Sequence, residues 1–195
     1  LIREALKEAD AVSPMLAAPQ RLERLIIRAG EAGEAASVLK ALSAEDLVSD
    51  ELPRWTATRW ELLRASLLPP NEEHQAIAAL NRVARLRPSG AIGEVQRAQA
   101  LLMLGSIEHR SARYKDAIAA FLKVSNASGL WREARLGMAW SQLRIAQPER
   151  ALASLALLPG GLTGDPERAL VAAMAAGALG KVDAALAVIE EARER

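Results

Sequence analysis

The sequence predicts an all-α fold, and three observations support this prediction. The chain has 195 residues with only four Trp, one Tyr and one Phe, so aromatic residues are rare. Ala, Leu, Arg and Glu, which favour helices, dominate the composition, whereas the β-branched residues that favour strands are scarce. Alanine-centred segments also recur at a spacing of 34 residues, which is long enough for a pair of helices.

The recurrence is clearest in the segments 113–121, 147–155 and 181–189, which align without gaps. Their central residues are alanines, each is followed four residues later by a large apolar residue, and each is preceded twelve residues earlier by a small one. In chain order, the alanines are Ala117, Ala151 and Ala185, the large residues are Phe121, Leu155 and Ile189, and the small residues are Gly105, Ala139 and Ala173. We expect the three alanines to be buried in nearly identical surroundings.

This pattern resembles the tetratricopeptide repeat, a helix–turn–helix unit of 34 residues. The resemblance implies a right-handed superhelical solenoid of antiparallel helix pairs, with about five repeats in one domain over residues 1–195. The predicted units are 16–49, 57–90, 98–131, 132–165 and 166–195, after a half repeat at 1–15. Two inserts of seven residues, 50–56 and 91–97, are expected to add helical turns at helix starts. A generic α-solenoid remains the alternative for the weaker early units.

Proline, glycine and acidic residues mark the predicted helix boundaries. Pro69-Pro70-Asn71 should end one helix and cap the next. Asp165-Pro166-Glu167 combines an N-cap residue, a proline at the first helical position and an acidic first turn. Trp60 falls at a position that the repeat family uses for core packing.

Composition excludes several classes of function. Because the chain has no cysteine, disulfides, thiolate metal sites and a cysteine nucleophile are excluded. A formal net charge of +1 disfavours a general nucleic-acid-binding role. The longest apolar run is well short of the ~20 residues that a membrane span needs. Since the first residue is Leu1, we expect the chain to be a fragment of a longer protein.

No residues form a candidate catalytic or cofactor site. The two histidines, His74 and His109, lack metal-ligand spacing, and His74 is expected to be exposed in the first turn of a helix. The glycine-rich stretch 160–165 lacks the Gly-Lys-Ser/Thr ending of a phosphate loop and is expected to be a turn. We therefore expect no catalysis, no metal and no cofactor.

The resemblance implies that the first helix of each unit lines a concave groove. The residues that it places there as a partner-binding surface are Leu102, Arg110, Leu136, Trp140, Arg144, Leu170 and Met174. Leucines recur along this surface at 34-residue steps, and two arginines form a second row. An apolar strip with a tryptophan favours binding of a peptide or helix, and the arginines favour a partner with acidic residues. The alternative is that a further helix, or a part of the protein outside this sequence, covers the strip.

The predicted function is a non-catalytic scaffold that binds another protein, as one module of a larger bacterial assembly. The bacterial origin is a hypothesis from the Arg- and Ala-rich, Lys-poor composition. Two alternatives remain open: a helical, non-catalytic domain of a larger enzyme such as a peptidoglycan lytic enzyme, and self-association through uncapped terminal repeats. A cytoplasmic and a periplasmic location both remain open.

Overall fold

The computed structural model describes residues 54–88, 90–161 and 165–193. The half repeat 1–15, the unit 16–49 and most of the insert 50–56 lie outside the described residues, as does the side chain of Trp60. The regular elements of the described residues are α-helices, with one 3-10 turn at Pro70–Glu72. The helices are α1 (Arg54–Leu67), α2 (Glu73–Arg85), α3 (Gly90–Arg110), α4 (Tyr114–Phe121), α5 (Trp131–Arg144), α6 (Pro148–Ala156), α7 (Pro166–Ala178) and α8 (Val182–Arg193). This confirms the prediction of an all-α fold.

The chain divides into two compact units, Leu1–Ala79 and Leu80–Arg195. Among the described residues of the first unit, Leu62, Ala65 and Ala76 are buried. Ala76 occupies the position in the predicted unit 57–90 that Ala117 occupies in the predicted unit 98–131. His74 is exposed in the first turn of α2, as predicted. The organisation of residues 1–195 as a single repeat domain stays a prediction.

In the second unit, the helices pack in chain order. The helices form pairs of chain neighbours: α3 packs against α4, α5 against α6, and α7 against α8. α4 and α6 also pack against the helix that comes next, while α3 contacts α5 and α5 contacts α7. α5 therefore lies between neighbours on both sides. None of the described helices is both long and apolar enough to cross a membrane.

The same helix-ending turn occurs three times in this unit, at 34-residue steps. Its central residue has a left-handed backbone, with φ of 59° at Ala112, 56° at Ala146 and 72° at Gly180. The next residue donates its N–H to the carbonyl five residues earlier, over 2.8, 2.9 and 3.0 Å. These bonds form a Schellman motif, which satisfies carbonyls that the helix end leaves free. Consequently α4, α6 and α8 start in equivalent register.

The phenyl ring of Phe121 fills the space between α3, α4 and α5. A Cβ atom built on Gly105 would lie 2.5 Å from the Cε1 atom of this ring, and one built on Gly137 would lie 2.6 Å from Cζ. Both glycines thus make room for the ring. Phe121 is 3% exposed and packs in a cluster with Ala117 and Met138. In the sequence pattern, Gly105 is the small residue twelve positions before Ala117, and the ring of Phe121 explains why a larger side chain does not fit there.

The central alanines are not equally buried. Ala117 and Ala151 are both 0% exposed, as predicted. For Ala185 the prediction of the same burial is wrong, because this residue is only partly buried. In the described part of the chain, α8 packs mainly against α7, so the outer face of α8 lacks the covering helix that α4 and α6 have. Its exposed apolar residues are Val182, Leu186 and Ile189.

The insert 91–97 lengthens α3, as predicted. α3 has 21 residues, compared with 14 in α5 and 13 in α7. The additional two turns lie at its N-terminal end and expose Ile92 and Val95 to solvent. The insert therefore extends one helix without changing the register of the pairs that follow.

Ala151 provides a test of the close packing between α5, α6 and α7. It is fully buried in a cluster with Leu136, Leu155 and Val171. We expect Ala151→Leu to overpack this cluster and to lower the free energy of unfolding by about 1–3 kcal/mol. Urea unfolding followed by circular dichroism measures this. The same change at Ala153, which is exposed on α6, is the control, and an equal effect at both positions would contradict the packing.

Asp165 caps the N-terminus of α7, as the sequence predicts. Its carboxylate accepts a hydrogen bond from the backbone N–H of Arg168 at 3.1 Å and from the Arg132 guanidinium at 2.6 Å. Burial alone would raise the pKa of this carboxyl group, but the hydrogen bonds from Arg132 and from the Arg168 backbone, together with their positive charges, hold the pKa below its usual value of 3.8. A depressed pKa contributes stability that is present above pH 3.8 and is lost as the pH falls through the lowered pKa.

Two substitutions at Asp165 separate the cap from the charge. Asp165→Ala removes both, and we expect a loss of about 0.5–2 kcal/mol in the free energy of unfolding at pH 7. Asp165→Asn keeps the cap acceptor and should be less destabilising. Neither variant should show the acid-induced loss of stability that this residue contributes to the wild type. Urea unfolding at pH 7 and pH 3 provides the comparison, and an Asn variant as unstable as the Ala variant would contradict the assigned capping role.

Candidate protein-binding cleft

A cleft of about 400 Å³ lies between the C-terminal ends of α3 and α5, the start of α4 and the middle of α7. We call it the arginine cleft. Its lining residues are His109, Arg110, Tyr114, Trp140, Leu143, Arg144 and Met174. The matched helix ends explain this grouping, because α3 and α5 end at equivalent positions and present their last-turn side chains side by side.

The side chain of Arg144 is held in place by Tyr114. Its Nε atom donates a hydrogen bond to the Tyr114 hydroxyl at 3.0 Å, and its guanidinium carbon lies 5.5 Å from the centre of the tyrosine ring. Cations at this distance from an aromatic face are attracted to it. Within the described residues, Nε is the one guanidinium nitrogen of Arg144 that has a hydrogen-bond partner, so the terminal nitrogens are able to donate to a ligand.

His109 forms the inner wall of the cleft. Its Nδ1 atom lies 2.9 Å from the hydroxyl oxygen of Ser141, and that hydroxyl donates to the carbonyl of Gly137 at 2.8 Å. With its hydrogen engaged there, the Ser141 oxygen acts as the acceptor and Nδ1 carries the proton. The ring also packs edge-on against Tyr114, with ring centres 5.3 Å apart. Nε2 is then the nitrogen that gains a proton when His109 becomes charged.

The electrostatic surroundings of His109 are positive. Burial lowers the pKa of His109, and the charge of Arg144 lowers it further. His109 is therefore neutral at physiological pH, and its neutral form contributes stability that is lost as the pH falls below the usual value of 6.5. Among the described residues that line the cleft, none carries a carboxylate. The cleft thus favours an anionic group.

Trp140 and Met174 form the apolar part of the cleft. Trp140 is partly buried and packs against the core cluster around Leu155, while its indole N–H donates to a carboxylate oxygen of Glu167 at 3.4 Å. Met174 is 49% exposed. Since Trp140 keeps part of its ring accessible and Met174 is flexible, the two side chains can contact an apolar group of a ligand.

Of the seven residues predicted for the partner-binding surface, four line the arginine cleft: Arg110, Trp140, Arg144 and Met174. The remaining three are the leucines that were expected to form one exposed row. Leu102 is partly buried against the cluster around Phe121, and Leu170 is 52% exposed on α7. The prediction for Leu136 is wrong, because this side chain is 2% exposed in the core. α5 lies between α3 and α7, and Leu136 is covered. Among the described helices, α7 has such a neighbour on one side, and Leu170 stays exposed.

Sequence reasoning missed Tyr114. It begins α4, the second helix of its pair, whereas the resemblance directs attention to first helices. As the one tyrosine of the chain, four residues after the end of α3, it offered a weak signal. The resemblance to the repeat family also places His109 on the concave groove, although it was not among the seven residues predicted to bind a partner. The described residues contain no group of three or more potential metal ligands.

A second cavity, of about 560 Å³, lies between the N-terminal half of α3 and the loop that joins α4 to α5. Its lining carries both signs of charge, from Glu94, Arg97 and Lys123, and no aromatic side chain. It therefore offers neither the charge nor the aromatic anchor of the arginine cleft.

Comparison with protein-family models, with curated proteins and with solved structures gives no match to this chain.

Proposed function

We propose that this protein is a non-catalytic scaffold that binds a peptide or helix of another protein in the arginine cleft. The observation that carries the proposal is that three helices contribute to one cleft: α3 supplies Arg110, α5 supplies Trp140 and Arg144, and α7 supplies Met174. Apolar aromatic anchors beside arginines are typical of the residues that dominate binding energy at protein interfaces.

The proposed architecture is a tetratricopeptide-like solenoid. It is supported by the three equivalent turns at Ala112, Ala146 and Gly180 and by the packing of the helices in chain order. In such an array, equivalent first helices lie side by side, so residues from successive pairs form one surface. We further propose that the scaffold acts as a module of a larger bacterial assembly, a hypothesis that rests on composition.

The binding proposal can be tested by selecting ligands for the full chain from a library of random dodecapeptides. Selected peptides are then measured by calorimetry against the wild type and against Trp140→Ala. We expect affinity to fall roughly thirtyfold, which corresponds to about 2 kcal/mol. Because Trp140 also touches the core, Met174→Ala serves as a second, less disruptive variant that should weaken the same peptides.

The matched control is Leu122→Ala, which removes a side chain that is 58% exposed and does not line the cleft. It should leave peptide affinity unchanged. Peptides that bind equally to the wild type and to both cleft variants, or a library that yields no peptide, would contradict the proposed function.

A further inference from the structure

The proposal rests on the binding function above and concerns the part of the cleft formed by Arg144, Arg110 and His109. These three groups come from the last turns of α3 and α5. In the described part of the chain, neither arginine has a carboxylate partner within the 4.0 Å of a salt bridge. Two other exposed arginines do have one: Arg132 pairs with Asp165, and Arg113 pairs with Glu108.

The position of Arg144 is fixed before any ligand arrives. Its hydrogen bond and ring contact with Tyr114 hold the guanidinium over the cleft. A side chain that is already ordered loses less conformational entropy on binding than a free one. Arg144 is exposed to solvent, but its contact with Tyr114 orders it, whereas a freely moving surface arginine forms ion pairs that contribute little.

His109 can add a third donor. Its Nδ1 side is occupied by Ser141, which leaves Nε2 to take up a proton. The charged and titratable groups that face it are Arg144 on α5 and Tyr114 on α4, with Arg110 next to it on α3. None of them is acidic, so no group of the cleft offsets the repulsion that protonated His109 would feel. An anion placed between the arginines would offset it.

We infer that the arginine cleft binds a segment of a partner protein in which an aspartate or glutamate lies next to a large apolar side chain, and that binding is coupled to protonation of His109. The carboxylate is held by Arg144 and Arg110, and the apolar side chain packs on Trp140 and Met174. Glu167, which accepts from the indole N–H of Trp140, disfavours a second acidic residue at the tryptophan end.

The coupling has a defined sign. A bound carboxylate stabilises the protonated form of His109 and so raises its pKa, and by linkage protonation of His109 strengthens binding of the carboxylate. Affinity should therefore increase as the pH is lowered from 8 towards 6, a range in which peptide carboxylates stay ionised.

The test uses the full chain and blocked synthetic dodecapeptides recovered by the selection described above. Each acidic peptide is compared with a copy in which Asp and Glu are replaced by Asn and Gln. We expect the acidic peptide to bind roughly tenfold more tightly, and Arg144→Gln to remove most of this difference. Arg150→Gln, at an exposed arginine of α6 outside the cleft, is the control and should preserve the difference.

The protonation of His109 is followed by NMR. Because the chain has two histidines, the ring signals of His109 can be assigned with the variant His109→Gln, and those of His74 serve as an internal reference. Adding the acidic peptide should raise the pKa of His109, whereas the amide peptide should not. The His74 signals should not respond to either peptide.

The outcomes separate the two proposals. Selected peptides that depend on Trp140 but contain no acidic residue, or that bind equally well as amides, would overturn the carboxylate inference and leave the scaffold proposal standing. An acidic peptide that binds through Arg144 without moving the His109 signals would overturn the proton coupling. Peptides that are indifferent to Trp140 and Met174 would overturn the proposed function itself.

Discussion

Replacing Phe121 with alanine should lower the free energy of unfolding by about 3–5 kcal/mol, the largest effect that we expect from a single substitution. The phenyl ring is 3% exposed and contacts the backbone regions of Gly105 on α3 and Gly137 on α5. Its loss would leave a cavity at the junction of three helices, and rigid helices cannot fully close such a cavity. Urea unfolding followed by circular dichroism gives the value.

The neighbouring residue provides the control. Leu122 is 58% exposed, so Leu122→Ala should change the free energy of unfolding by less than about 0.5 kcal/mol. A double-mutant cycle gives a second test. Gly105→Ala should destabilise the wild type because its Cβ would collide with the ring, and should destabilise a Phe121→Leu background less. Additive effects in the cycle would contradict the contact between the two residues.

The second large effect distinguishes two equivalent positions 34 residues apart. Leu155 on α6 is 3% exposed and is covered by α7, whereas Ile189 on α8 is 45% exposed. We expect Leu155→Ala to reduce the free energy of unfolding by about 2–5 kcal/mol, and Ile189→Ala to reduce it by less than half as much. Equal losses would show that the outer face of α8 is covered in the folded protein.

The sequence predicted the register of the pairs because that register depends on local contacts. Ala117 and Ala151 are in tight helix crossings where larger side chains do not fit, so the pattern of small residues is visible without coordinates. The seven-residue insert 91–97 was recognisable because it lengthens the 34-residue spacing between the central alanines. The inserted residues form part of the α-helix α3.

Burial at equivalent positions could not be predicted in this way. Leu136 and Leu170 occupy the same position of successive pairs, yet one is in the core and the other is 52% exposed. The difference depends on which helices cover each pair, and a repeat pattern alone does not contain this information. The left-handed turns at Ala112 and Ala146 were equally hidden, because glycine is the usual signal for that backbone conformation.

The cleft was predictable in part. Arg110, Trp140, Arg144 and Met174 followed from the resemblance, since side chains of equivalent first helices share a surface. Tyr114 and the inner position of His109 depend on how α4 begins relative to the ends of α3 and α5. That relation is set by the three-residue turn between α3 and α4, whose geometry the sequence did not reveal.

Site-specific photocrosslinking tests the central claim, binding of a partner in the arginine cleft, most directly. A photoreactive phenylalanine analogue replaces either Met174, which lines the cleft, or Leu122, which is exposed outside it. Each variant of the protein is produced and irradiated inside its own cells. The proposed function predicts a discrete covalent adduct with another protein from position 174, competed by a selected peptide, and none from position 122. The absence of an adduct at 174, or the same adducts from both positions, would contradict it.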